Sequence, residues 1–119
     1  MSKLIDVNFR KGIVDIISKY LNATEVMLVV KDAGINTSVY WPTFQTSELF
    51  NVLEVFDGVE VSHPKFQQFL KSLGKAPDLK KNQMQPLSYK TVEDMMSRIL
   101  KLVESHEDNV DGDKRKIGF

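Results

Sequence analysis

The stretch EVMLVVKDAGINTSVYW, residues 25–41, decides how this chain reads. Val26 to Val30 is an unbroken apolar run, mostly β-branched, and predicts a strand covered on both faces. Asp32, Ala33 and Gly34 follow as a short loop, with glycine where a left-handed backbone is needed, the pattern of a three-residue hairpin with a bulge. On the return, Ile35, Thr37, Val39 and Trp41 fall on one face and Asn36, Ser38 and Tyr40 on the other, so this strand has one wet face or lies at an edge. Pro42 lacks the N–H a ladder needs and ends it.

Beyond the hairpin, Thr43, Thr46 and Ser47 are candidate caps for a helix over 47–57, with Glu48 in its first turn. Leu49, Phe50, Val52, Leu53, Val55 and Phe56 spread over about 220° of that helix, far wider than one core-facing stripe. Two covers are therefore expected, one of them a later helix or a second copy of the chain. Gly58 supplies the stop.

Toward the N-terminus, residues 8–21 form a helix with Phe9, Ile13, Val14, Ile16, Ile17, Tyr20 and Leu21 on one side, closed by Asn22. Gly12 weakens it by about 1 kcal/mol relative to alanine. Toward the C-terminus, Val59, Glu60 and Val61 form a candidate short third strand. Ser62 then caps a helix that ends at Leu73 before Gly74, with Phe66, Phe69, Leu70 and Leu73 along one face. Residues 75–87 are polar, carry Pro77 and Pro86, and read as a loop. Ser88 or Thr91 opens the last helix. Its apolar residues, from Val92, Met95 and Met96 to Ile99, Leu100, Leu102 and Val103, fill about 160°.

The expected fold class is thus α+β: an antiparallel β-hairpin packed by four α-helices, in the order α-β-β-α-(β)-α-α. Residues 1–105 make a single domain, and 106–119 read as a flexible charged tail. At 119 residues the chain can bury a sizeable core without metal or disulfide help.

With no cysteine, a disulfide framework, a zinc–thiolate site and thiol catalysis are excluded. No stretch approaches a membrane span and the start carries no signal-peptide run, so a cytoplasmic protein is expected. Ser72, Leu73, Gly74 and Lys75 end like a phosphate loop, but Phe69 stands where its first glycine belongs. His106 and Glu107 begin like a zinc-protease helix, but Val110 replaces the second histidine. The acids around Gly112 miss the spacing of a calcium loop. His63, before Pro64 at a helix start, reads as structural. No catalytic set, metal site or cofactor is expected.

The sixteen basic and sixteen acidic residues cancel but are unevenly placed. Glu48, Glu54, Asp57 and Glu60 occupy a stretch without lysine or arginine, and Lys65, Lys71, Lys75, Lys80, Lys81 and Lys90 follow with only Asp78 against them. Together with the over-wide helix, this asymmetry points to a small non-enzymatic accessory or regulatory protein that binds another protein and forms a homodimer. Its contact residues are then Tyr40, Trp41, Phe44 and Phe50, aromatics of the kind enriched at interface hot spots. In size and style the chain resembles the short accessory proteins of phages and mobile elements, a likeness that no motif carries. The alternative is a weak nucleic-acid-binding module in which Lys71, Lys75, Lys80 and Lys81 neutralise phosphates.

Overall fold

In a computed structural model of the chain, residues 4–35, 48–80 and 87–117 are described, with side chains through His106. The described residues form six α-helices and no β-strand, which overturns the α+β assignment. They are α1 (Val7–Tyr20), α2 (Ala23–Asp32), α3 (Leu49–Val52), α4 (Pro64–Gly74), α5 (Ala76–Leu79) and α6 (Tyr89–Ile117).

The expected hairpin fails at its first strand, because Val26 to Val30 lie inside α2. The local cause is Asn22. Its side chain accepts the Glu25 N–H at 2.9 Å, while Glu25 Oε1 accepts the Asn22 N–H at 2.8 Å. This reciprocal capping box satisfies two of the donors that a helix start leaves free, so Asn22 opens α2 rather than closing α1. Val26, Met27, Val29 and Val30 are buried and Leu28 is half-buried. A helix this apolar needs several covers, and α2 packs against both α4 and α5.

Gly34 does take the left-handed conformation, at φ +74°, but as the residue after a helix rather than in a hairpin bulge. The Ile35 N–H donates to the Val30 carbonyl at 3.2 Å and the Gly34 N–H to the Lys31 carbonyl at 3.1 Å. This Schellman pairing closes α2 and leaves Ile35 half-buried on the core. The rest of the expected return strand, 36–41, lies outside the described residues.

Two further expectations are corrected. The helix over 47–57 is two short pieces, α3 and a 3-10 turn over Leu53–Phe56. Leu49, Leu53 and Phe56 are buried within the chain itself, and Val55 alone of its large apolar residues is mostly exposed. The candidate third strand is an isolated antiparallel bridge, Leu4 to Glu60, flanked by Ile5 N–H to the Val59 carbonyl at 2.8 Å. Its partner is the N-terminus, not a hairpin.

The other helices form as their stripes predict. In α1, Asp6 Oδ1 caps the Phe9 N–H at 2.8 Å, and Phe9, Ile13, Val14 and Ile17 are buried. This helix crosses close to α6, since a Cβ on Gly12 would stand 2.9 Å from Leu102 Cδ2. Glycine's low helix propensity is therefore offset by close packing at that point. In α4 the cap is His63 rather than Ser62: its Nδ1 accepts the Lys65 N–H at 3.1 Å, with Pro64 in the first turn. The segment 75–87, expected as a loop, contains α5, with Pro77 near its start; 81–86 lie outside the described residues. Helix α6 continues past residue 105 to Ile117, and His106 is buried.

Four phenylalanines hold the centre. The Phe66 ring lies 5.4 Å from Phe56, 6.0 Å from Phe9 and 6.3 Å from Phe69, centroid to centroid. Gly74 belongs to the last turn of α4, without a positive φ and with nothing within 4 Å of an added Cβ. Gly74→Ala is expected to raise stability by about 0.5–1 kcal/mol, by narrowing the unfolded ensemble and favouring the helix. A urea titration would show this as a higher midpoint at unchanged slope.

Candidate functional site

Of the residues predicted to contact nucleic acid, Lys80 has an internal role. Its Nζ meets Glu25 Oε2 at 2.5 Å, and the lysine and glutamate side chains are only 10% and 7% exposed. Glu25 therefore uses one oxygen to cap α2 and the other to hold the end of α5. Desolvation of a charge is tolerated here because each ion has its counter-ion and the carboxylate has a second hydrogen bond.

Lys75 is also paired, at 3.1 Å from Asp32 Oδ2. The same oxygen accepts the hydroxyl of fully buried Ser72 at 2.8 Å. Asp32 ends α2, where the helix dipole disfavours an anion, so these partners correct an unfavourable position. The Ser72 hydroxyl first, then the Lys75 ammonium, hold the Asp32 carboxyl below its ordinary value. A depressed carboxyl stabilises the fold at pH values above its unfolded pKa, and that contribution is lost as pH falls through the folded one. Asp32→Asn is accordingly expected to be less stable than wild type near neutrality, with the gap closing below about pH 4. Urea midpoints for both proteins across that range test it; a gap that stays constant would contradict it.

Phe50, predicted as a partner contact, is half-buried beneath the Arg10 guanidinium, which lies 4.1 Å from the ring centroid. Arg10 Nη1 also donates to the Phe50 carbonyl at 2.6 Å, and Nη2 to Asp57 Oδ2 at 3.1 Å. This arginine fastens the 50–57 segment to α1, and Phe50 acts in the fold. Tyr40, Trp41, Phe44 and Lys81 lie outside the described residues. Lys71 is exposed and, among the described residues, forms no ion pair.

His106 is equally structural. Its ring stacks on Phe9 at 4.3 Å between centroids, and Nε2 lies 3.0 Å from the Leu4 carbonyl. A carbonyl only accepts, so the hydrogen resides on Nε2. At the start of α6 the Tyr89 hydroxyl bonds to the Asp78 carboxylate, which raises the phenol above its ordinary value. No group of three or more metal-ligating side chains occurs among the described residues. No helix of theirs is long and apolar enough to cross a membrane.

Two concavities among the described residues bear on a site. The first is a void of about 10 Å³ bordered by Ile5, Phe9, Arg10 and Phe56, room for at most one water. The second is an open groove of about 570 Å³ between α4 and α6, lined by Pro64, Gln67, Gln68, Leu70, Lys71, Met96 and Leu100. Leu70 is nearly covered, Met96 is half-buried and Leu100 is 50% exposed. The groove therefore has an apolar floor, the glutamines and Lys71 along α4, and a leucine standing out of α6. The adjacent methionines divide, with Met95 fully buried in the core and Met96 facing the groove.

Leu100 and its neighbours are absent from the predicted contact residues, yet the sequence carried a signal. The apolar arc of the last helix, about 160°, exceeds the roughly 100° that faces one core. Leu102 closes one edge of the arc against α1 at Gly12, and Leu100, at the other edge, is left uncovered. Comparison with protein-family models, with curated proteins and with solved structures gave no match to this chain.

Proposed function

We propose that this chain is a small accessory or regulatory protein that acts by binding another protein rather than by catalysing a reaction, and that the α4–α6 groove is its contact surface. The observation that carries this reading is Leu100, half-exposed beside Met96 over a preformed apolar floor. Among the described residues, the buried side chains of Arg10, Glu25, Lys80 and His106 each hold helices or the N-terminal segment in place. Polar flanks around an apolar strip suit an amphipathic helix or an extended segment laid along the groove. A cytoplasmic setting belongs to the same proposal, supported by the absence of cysteine.

Lys80 is internal and Lys75 is paired with Asp32, which weighs against a lysine surface for nucleic acid. Selection of random peptides on the folded chain, with counter-selection on a Leu100→Glu variant of equal urea stability, tests the groove. Peptides that need Leu100 are the expected result. Binders that recognise both proteins equally would place the contact elsewhere.

A further inference from the structure

We infer that the groove's partner is the same groove of a second copy, with the two copies related by a two-fold axis running along α4 and α6. This rests on the proposed binding role and names its partner. The argument is the charge on the two lips. On α6, Glu93, Met96, Leu100 and Glu104 follow one another at steps of three, four and four, one continuous stripe on a helix. Met96 and Leu100 line the groove, and Glu93 and Glu104 are exposed along the same edge. The lip made by α4 carries Lys71 and two neutral glutamines. One lip is anionic and the other cationic, and among the described residues none of Lys71, Glu93 and Glu104 has an ion-pair partner.

Such a pattern is complementary to itself in one arrangement only. A two-fold axis across the helices sets α6 on α6 and α4 on α4, bringing acids against acids and lysine against lysine. An axis along the helices sets α4 of each copy on α6 of the other, so Lys71 meets the acidic stripe twice and the Leu100 side chains cover each other's apolar floor. An isologous contact repeats every favourable pair, which doubles the effect of a single change.

Sedimentation across a concentration series is the test, with circular dichroism and a urea midpoint taken for each variant. The wild type is expected to dimerise, and Leu100→Glu to remain monomeric while still folded. Lys71→Glu alone, and Glu93→Lys with Glu104→Lys alone, should each weaken dimerisation on the order of tenfold or more. Mixing those two proteins should restore dimers, now heterodimers, because every lip again faces its opposite. A wild type that is monomeric throughout, or a Lys71→Glu variant that dimerises normally, would overturn the inference, and the peptide selection would then judge the binding role independently. A Leu100→Glu variant that keeps its mass but loses stability and shifts Trp41 fluorescence would also overturn it, in favour of cover by the chain itself.

Discussion

Lys80→Met is expected to destabilise the protein by about 3–5 kcal/mol, because it strands the Glu25 carboxylate in the interior without its counter-ion. Both side chains are almost fully buried, so water cannot replace the lost partner. The double variant Glu25→Gln with Lys80→Met should lie much closer to wild type. It removes both charges together, and glutamine at 25 still returns a hydrogen bond to the Asn22 N–H. Urea unfolding of the two single variants and the double one gives the coupling directly. A Lys80→Met protein within 1 kcal/mol of wild type would mean that solvent screens the pair, at the surface value typical of exposed ion pairs. One practical consequence concerns nucleic-acid binding. Lys80→Glu sets two carboxylates together inside the molecule, so lost binding in that variant would report unfolding, whereas exposed Lys71→Glu is the informative change.

The second large effect is expected at Phe66. Its ring touches the rings of α1, the 3-10 turn and α4 at once, and it is 2% exposed. Phe66→Ala should cost about 3–5 kcal/mol, the transfer energy of the ring plus the cavity left where three elements meet. Phe66→Leu keeps most of the volume and should cost less than half as much. A void already adjoins this ring, bordered by Ile5, Phe9 and Phe56, so the site has little spare packing to collapse onto the gap. Thermal unfolding followed by circular dichroism separates the cases. A Phe66→Ala midpoint close to that of the wild type would show that the aromatic cluster contributes little.

Helices α1, α4 and α6 were legible because each shows a polar face opposite an apolar stripe, so helical periodicity stands out locally. Segment 26–30 shows no period at all. Five consecutive apolar residues are equally compatible with a strand buried on both faces and with a helix buried nearly all round. Asn22 and Glu25, three apart, are a local helix-start pattern, but Asn22 was assigned to the end of the preceding helix and the β-branched run to a strand. Gly34 was identified for the right backbone conformation and attached to the wrong element, since a left-handed glycine serves a helix end as readily as a hairpin. Leu49, Leu53 and Phe56 of the over-wide arc on 49–56 are covered inside the chain while Val55 stays exposed, and the arc on α6 leaves Leu100 outside. An arc width tells how much cover a helix needs and says nothing about which neighbour supplies it.

The lysines show the same limit most sharply. Composition and spacing established a lysine-rich segment over 62–90 and an acidic one before it, a property of the linear chain that no folding can change. Which of those lysines face water depended on contacts across great separations: Lys80 finds Glu25 over 55 positions, and Arg10 finds Asp57 over 47. Helix periodicity is a short-range property written within a few turns, so it can be read directly. Ion pairing, burial of the valine run and the groove beside Leu100 arise only when remote helices are brought together, and they could be known only from the folded chain.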